Sequence, residues 1–421
     1  MLSQRQKKME IMKNLAISKV EYLMNKTRIK HVAKLIQVAM ILFLVCIPSI
    51  TVAVDVLIQN VKTALPIPVV DAKAWALLEF NSGMLVVGNN SELPHPPASI
   101  TKLMTNYVVF EALRDGGITL NDDVSISEKA WRTEGSRMFA KVDSKVKLKH
   151  LLKSTVIQSG NDAAVALAEH VAGSELGFAA LMNQASDKIG LNQSRFINAT
   201  GLPAKEHRMS AQDIAILAAA IIRDYPEYYP WYSEQVYTHN NISQYNRNKL
   251  LWKDSSVDGL KTGHTEAAGY CLVGSAKRNG QRWIAVVLGS SDERSREEAV
   301  LSLLDFAFNA YKPVRLLDQQ GGLASVAVYH GEVDEVLLQA NGGIDLVVPA
   351  GRQNDVSTEF QLSPYYLAPI EIGQSMGVAV LSLDNKTLAN VPLIAMSNIK
   401  SGGIWKNLID SVKLQIRELT D

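Results

Sequence analysis

Apolar positions along this chain follow two spacings, and the switch between them divides it into parts. After a Pro-containing link at Ala64–Pro68, the β-prone runs Trp75–Phe80 and Met84–Val87 flank Asn81-Ser82-Gly83, which predicts a hairpin. Apolar residues then recur every three or four positions over Ser99–Leu113, Leu148–Gln158, Ala163–Val171, Glu175–Ile189 and Ala211–Arg223, which predicts five helices. Short β-prone runs return at Val257–Thr262, Gly269–Ser275 and Trp283–Leu288, and Glu297–Tyr311 reads as a closing helix. Beyond Lys312-Pro313 the segments Ala324–Tyr329, Glu335–Leu338, Ile344–Val348 and Gly377–Leu383 predict a second, all-β domain over 312–396. Asn398–Gly403 loosens the chain, and residues 402–421 read as a last, amphipathic helix.

The N-terminal end has a different texture. Leu35–Val54 holds twenty residues without a charge, directly after a basic segment ending at Lys34, so residues 1–53 read as a basic n-region plus an export signal. Thr51 and Ala53 place cleavage near Ala53–Val54, and Met9, Met12 or Met24 are alternative starts for so long an n-region. An uncleaved signal anchor is the other reading, because twenty apolar residues can span a bilayer. Either way the bulk of the chain is expected outside the cytoplasm.

The net charge of +1 conceals a split: residues 1–34 carry +7, so residues 35–421 carry −6. A mildly acidic folded part argues against nucleic acid as a partner. With 421 residues, 47% of them hydrophobic and 20% charged, two to three domains with real cores are possible and disorder is excluded. Cys46 and Cys271 are the only cysteines, and Cys46 lies in the apolar run, so a processed chain has no disulfide framework. Cys271 is expected to be a small core residue and Cys46 a passenger rather than a lipid anchor.

Ser99-Ile100-Thr101-Lys102 opens an apolar-periodic segment, and a three-residue helical spacing stacks Ser and Lys on one face. A serine hydroxyl needs a base to become a nucleophile, and a partly buried lysine of lowered pKa can be that base. The Ser99 N–H, at a helix start, can stabilise an oxyanion. The pattern alone is weak, since Ser144…Lys147 and Ser397…Lys400 also satisfy it. An ordered set strengthens it: Ser159-Gly160-Asn161 follows, then Lys261-Thr262-Gly263. Ser159 and Asn161 are expected on a loop between helices. Lys261 and Thr262 are expected on a strand ending at Gly263 with a free edge, along which a peptide can be laid. A cation beside a hydroxyl suits a carboxylate, and the His264 N–H is placed to complete an oxyanion hole with Ser99.

These residues resemble the active-site-serine penicillin-recognising enzymes, and within them the low-molecular-mass penicillin-binding proteins of the D-alanyl-D-alanine carboxypeptidase type. Similar text surrounds each triplet: PASITKLMT, QSGNDAAVALAEHVAGS, and NRNKLLW followed by VDGLKTGHTEAAGYCLVGSA. The resemblance spans roughly residues 65–421. It implies an α+β fold: a transpeptidase/β-lactamase-like domain over 66–311, with helices packed on an antiparallel sheet, then the small all-β domain and the amphipathic helix. It makes Ser99 the acyl-enzyme nucleophile, Lys102 its base, Ser159 the proton relay to the leaving D-alanine and Asn161 the residue that orients substrate and Lys102. Lys261 and Thr262 would meet the terminal carboxylate, with Arg247 and Arg296 near the pocket. The implied partners are peptidoglycan stem peptides ending in D-Ala-D-Ala, β-lactams as covalent inhibitors, and a membrane surface on the periplasmic side of the bacterial inner membrane. No cofactor is implied.

Each feature has a plainer reading: a helix cap, a helix-linking turn, a strand end, and surface ion pairs for the arginines. The histidines show no metal-ligand spacing. In the final segment Trp405, Leu408, Ile409, Val412, Ile416 and Leu419 share a stripe opposite Lys406, Asp410, Lys413 and Arg417, which favours a membrane-surface helix over a core helix. A class A β-lactamase is disfavoured because no E-x-x-L-N loop lies between Asn161 and Lys261. A DD-endopeptidase and a non-catalytic β-lactam-binding wall scaffold are the remaining alternatives.

Overall fold

The computed structural model describes residues 63, 65–317, 322–340 and 342–420. The described residues all belong to one compact unit, Val54–Asp421. The basic leader, the apolar run at 35–54 and Cys46 lie outside the described residues.

The predicted hairpin forms β1 (Ala74–Glu79) and β2 (Leu85–Asn89), with Leu78 opposite Leu85. The Glu79 carboxylate closes the turn by accepting from the Ser82 N–H at 2.8 Å and the Ser82 hydroxyl at 2.7 Å. The chain then runs through α1 (Lys102–Arg114), β3 (Asp123–Ser125), α2 (Glu128–Arg132), β4 (Lys145–Lys147), α3 (Leu148–Ile157), α4 (Asn161–Ala172), α5 (Glu175–Ile189) and α6 (Ala211–Asp224). It continues with β5 (Val236–His239), β6 (Ile242–Tyr245), α7 (Leu250–Lys253), β7 (Val257–Thr265), β8 (Gly269–Arg278), β9 (Gln281–Ser290) and α8 (Glu293–Ala310). Ser127, Ser174, Ser210 and Asp292 accept backbone N–H bonds at the starts of α2, α5, α6 and α8, each such cap being worth about 1 kcal/mol.

The main sheet is antiparallel, in the order β2-β1-β9-β8-β7. Alternate residues leave opposite faces of a strand. Ala74, Ala76 and Leu78 of β1 therefore join Ile214, Leu217 and Ile221 of α6 in one core, while Trp75 and Leu77 join Val300, Leu303 and Leu304 of α8 in another. Helices thus cover both faces, which is why the strands read as nearly unbroken apolar runs. Fully burying each large aliphatic side chain contributes about 1.5–3 kcal/mol.

The C-terminal part comprises β10 (Tyr311–Leu316), β11 (Ala324–Tyr329), β12 (Glu335–Ala340), β13 (Ile344–Pro349), β14 (Ser357–Leu362), β15 (Tyr366–Leu367), β16 (Ser375–Leu383), β17 (Lys386–Ala395) and the helix α9 (Ile404–Thr420). A six-stranded sheet in the order β14-β16-β17-β12-β11-β15 lies beside the β10-β13 pair. The core under α8 continues into this part through Val326, Leu338, Val348 and Leu393, so the β-rich region is fused to the sheet domain rather than tethered to it.

Three features depart from expectation. The short pairs β3/β4 and β5/β6 fall where no strand was expected, since three or four half-exposed residues give little periodic signal. The segment Ser99–Leu113 is not one helix: Ala98–Thr101 forms a 3-10 turn that leads into α1. Asn161 opens α4 rather than sitting in the preceding loop. Among the described residues no single helix is long and apolar enough to cross a membrane.

Candidate active site

The 3-10 turn at Ala98–Thr101 repeats every three residues and so brings Ser99 and Lys102 into line. Lys102 Nζ lies 3.1 Å from Ser99 Oγ, and it also donates to Asn161 Oδ1 at 2.6 Å and to the Thr200 carbonyl at 2.7 Å. Lys102 is fully buried, and loss of hydration lowers its pKa from 10.5 to about 7, against the opposing pull of the nearby Asp162 charge. Near neutrality a large share of Lys102 is the free amine. With two acceptors taking its two protons, the nitrogen lone pair is left facing the Ser99 hydroxyl.

Close packing makes this possible. Ala98 adopts φ +47°, and its carbonyl lies where a side chain on Gly201 (φ +83°) would stand, a Cβ there falling 1.8 Å from the Ala98 oxygen. Only glycine fits, and its presence lets the neighbouring Thr200 carbonyl reach Lys102. On the opposite side, Asn161 Nδ2 donates to the Glu134 carbonyl, and the Asn161 N–H donates to the Ser136 carbonyl at 2.6 Å. Asp162, one position on, accepts from the N–H groups of Met138 at 3.0 Å and Ala140 at 3.3 Å. The first turn of α4 therefore grips the 134–140 loop and holds Asn161 against Lys102.

Ser159 lies in the link before α4 at φ +71°, and its buried Oγ has no hydrogen-bond partner among the described residues. Both facts carry a cost, about 1–3 kcal/mol for the strained backbone of a non-glycine residue and a similar amount for the buried hydroxyl. Such a residue is held in place by its surroundings, with its hydroxyl free for a bond to a ligand.

β7 is the edge of the main sheet, paired on one side with β8. Gly263 faces the nucleophile turn: a Cβ there would meet the Pro97 carbonyl at 3.0 Å and Ile100 Cγ1 at 3.1 Å. The missing side chain lets the strand edge approach Ser99. A cleft of about 230 Å³ results, lined by Ser99, Ser136, Ser159, Arg247, Thr262, Gly263, His264, Tyr270, Glu293 and Arg296. Exposed Arg247 donates to Ser136 Oγ at 3.2 Å. Buried Arg296 pairs with Glu293 at 2.8 Å and lies over the Tyr270 ring at 5.4 Å from its centroid, with its Nε unpartnered among the described residues.

Lys261 is placed differently from expectation. It is buried, its Nζ donates to the carbonyl of the adjacent Thr262 at 3.0 Å, and it does not line the cleft. Burial lowers its pKa well below the ordinary lysine value, and the charges of Lys102, Arg247 and Arg296 push the same way. The groups that face the cleft from this strand are Thr262 and His264, and the exposed cation is Arg247. Cys271 is fully buried, as expected of a core residue. The sequence reading missed Ser136, Tyr270 and Glu293, which carry no motif, and the Thr200 and Glu134 carbonyls, which belong to the backbone; Asn198-Ala199-Thr200-Gly201 offered only a turn signal.

The sequence profile of the family described as D-alanyl-D-alanine carboxypeptidase matches residues 60–292, more than half of the chain, and that of the penicillin-binding protein 5 C-terminal domain matches residues 311–401. The chain belongs to the D-alanyl-D-alanine carboxypeptidase family. It is 37% identical over 364 residues to D-alanyl-D-alanine carboxypeptidase DacA of Escherichia coli K12, covering 84% of this chain and 90% of that one. DacC of the same organism is likewise 37% identical, over 359 residues, covering 83% and 90%. The crystal structure of penicillin binding protein 5 from Haemophilus influenzae superposes with a TM-score of 0.76 at 37% identity, covering 80% of this chain and 100% of that one. This D-alanyl-D-alanine carboxypeptidase is a serine-type peptidase with the penicillin-binding-protein fold and the β-rich domain that follows it in penicillin-binding protein 5.

Proposed function

We propose that Ser99, activated by Lys102, removes the terminal D-alanine from peptidoglycan stem peptides ending in D-Ala-D-Ala. The observation that carries this reading is the pair of acceptors, Asn161 Oδ1 and the Thr200 carbonyl, that hold the two protons of a neutral Lys102 amine and leave its lone pair facing Ser99 Oγ, 3.1 Å away. Ser99 Oγ attacks the carbonyl carbon of the penultimate D-alanine, and its proton passes to Lys102 Nζ as the C–O bond forms. The N–H groups of Ser99 and His264 hold the oxyanion. Lys102 returns the proton through the Ser159 hydroxyl to the leaving nitrogen, the C–N bond breaks, and D-alanine departs. Asn161 orients Lys102 and the substrate amide. A water molecule then adds to the ester, giving its proton to Lys102, which passes it to Ser99 Oγ as the acid is released. Arg247, Arg296 and Thr262 bind the substrate carboxylate, and Lys261, buried on the same strand as Thr262, lies close enough to both arginines to feel their charge. β-Lactams stop at the ester stage, because the ring nitrogen stays tethered.

Residues 66–311 carry this chemistry, 312–396 form the platform behind it, and 402–421 attach the enzyme to the outer face of the cytoplasmic membrane after export by the 1–53 segment. Support for the attachment comes from α9: Ile404, Trp405, Leu408, Ile409, Val412 and Ile416 are each at least half exposed, while Asp410 on the opposite side is fully buried.

The test is D-alanine release from diacetyl-L-Lys-D-Ala-D-Ala by the exported domain, with and without stoichiometric penicillin. Release that penicillin blocks is expected. Covalent penicillin binding without any release would assign the protein instead to the DD-endopeptidase or the β-lactam-binding scaffold alternative.

A further inference from the structure

The exposed hairpin β5–β6 reaches the site through one side chain. Tyr237 of β5 bonds His150 of α3, and Gln244 of β6, directly opposite Tyr237 across the pair, points to the same side. Gln244 Nε2 donates one proton to the Arg137 carbonyl at 3.0 Å and the other to Gln158 Oε1 at 2.9 Å. The partners fix the direction of this amide. A backbone carbonyl only accepts, and Gln158 has turned its own nitrogen away, to Ser154 Oγ at 3.0 Å.

Both acceptors stand next to residues of the site. Arg137 follows Ser136, whose hydroxyl takes the bond from Arg247 and whose carbonyl takes the Asn161 N–H. Gln158 precedes Ser159. The short link around Ser159 is wrapped on Ser154: the N–H groups of Gln158 and Gly160 both donate to the Ser154 carbonyl, at 3.2 and 3.1 Å, and a Cβ on Gly160 would fall 2.3 Å from Ser154 Oγ. The Gln158 side chain is the remaining handle on this link. It is 3% exposed, and among the described residues only Gln244 donates to its oxygen. Without that donor the buried oxygen is left unsatisfied, beside a residue whose φ of +71° persists only while its surroundings over-determine it.

We propose that Gln244 is a positioning residue for the Ser159 hydroxyl. By donating to Gln158 and Arg137 together it holds the strained link against the 134–140 loop, and so keeps Ser159 Oγ where it hands a proton to the leaving nitrogen. This role rests on the relay function given to Ser159 above. Gln244 itself does not line the cleft, so its loss acts through the step that Ser159 serves.

The experiment compares kcat/KM for diacetyl-L-Lys-D-Ala-D-Ala with that for the matched thiolester, in which D-2-mercaptopropionate replaces the terminal D-alanine, on the full-length chain. The two substrates carry the same carboxylate and give the same acyl-enzyme. The peptide C–N bond breaks only as the nitrogen gains a proton. The thiolester C–S bond breaks with its electron pair on sulfur, as a thiolate, and the proton from Ser99 stays on Lys102 until water removes it. Gln244→Met keeps the length of the side chain and removes both donors; it should lower kcat/KM about tenfold for the peptide and less than about twofold for the thiolester. In a Ser159→Ala background the same change should cost the peptide nothing further. Ratios are taken within each variant, so partial loss of folded enzyme cancels. Equal falls on the two substrates, no fall on the peptide, or losses that multiply in the double variant would overturn the positioning role. A Ser159→Ala protein with the peptide-to-thiolester ratio of the unmodified chain would overturn the relay reading itself, and the role of Gln244 with it.

Discussion

Asn161 Oδ1 accepts a hydrogen bond from Lys102 Nζ at 2.6 Å, while the other end of the same amide is tied to the Glu134 carbonyl. A rotating amide would let the lysine drift; a doubly held one fixes where the amine protons point. With the Thr200 carbonyl as second acceptor, Lys102 has one direction left, toward Ser99. Two segments distant in sequence thus prepare a base before any substrate arrives, a form of preorganisation that lowers the activation barrier.

The pH dependence of acylation follows. Only the unprotonated amine accepts the Ser99 proton, and burial lowers the Lys102 pKa from 10.5 to about 7. The rate of acylation by a penicillin should therefore rise about tenfold per pH unit below 7 and level off above it. Stability carries the same signature. Between pH 7 and 10.5 the unfolded chain holds a proton on Lys102 that the folded chain has released, so stability rises with pH across that window. Lys102→Met should abolish acylation and raise the thermal midpoint more at pH 6 than at pH 10; an acid limb that remains centred near 5 in stopped-flow acylation would remove Lys102 from the role of base.

Ser159 separates activity from stability. Its Oγ is buried without a partner among the described residues, so Ser159→Ala removes a desolvated hydroxyl and leaves the fold at least as stable, by up to about 1 kcal/mol. Proton delivery to the leaving nitrogen should meanwhile fall by about 10²-fold or more. Denaturant unfolding and the acylation rate, measured on the same sample, check the pair. A variant both less stable and fully active would show that the hydroxyl supports the fold rather than the reaction.

Arg247 reports on the substrate carboxylate. It is exposed and held by one bond to Ser136 Oγ, so its loss disturbs little else. Arg247→Ala should raise KM about tenfold for a peptide ending in a free carboxylate, as loss of a charge-assisted bond worth about 1.5–3 kcal/mol predicts at its lower end. A peptide amidated at its C-terminus should be turned over poorly by both forms, with little difference between them. An equal loss on the two peptides would point to a role in loop position instead.

The parts of this site that were legible in the sequence are those carried by side chains at short range. Ser99 and Lys102 are three residues apart, and Ser159 and Asn161 two, so local backbone geometry alone limits where they can point. The acceptors that aim Lys102 were not legible, because Thr200 and Glu134 act through carbonyls that every residue possesses. Lys261 is a different case. Its position on the edge strand was readable, but whether a long side chain reaches the cleft or folds back on its own strand depends on packing, and here it folds back to the Thr262 carbonyl. The fold was legible where both sides of an element are covered, as in β8, β9 and α6, and obscure where strands are short and half exposed, as in β5 and β6.

The helix α9 inverts the usual arrangement of an amphipathic helix. Its polar side is turned to the protein: Asp410 is buried and accepts from the His330 N–H at 2.8 Å and from Lys406 Nζ at 2.7 Å, and Lys406 also reaches Asp334. Its apolar side faces outward, with Trp405 78% and Ile404 87% exposed. Such exposure is costly in water and is relieved if the stripe enters a lipid interface, where each large apolar side chain buried is worth about 1.5–3 kcal/mol. Replacing Trp405 and Leu408 together by Glu should lower partitioning onto anionic phospholipid vesicles by at least about 10²-fold in cosedimentation. The thermal midpoint should not fall, since neither side chain is among the buried core residues. Penicillin acylation, on a separate part of the molecule, should be unchanged in solution. If the double variant sediments with vesicles as well as the unmodified protein does, the apolar stripe is not a membrane-binding surface.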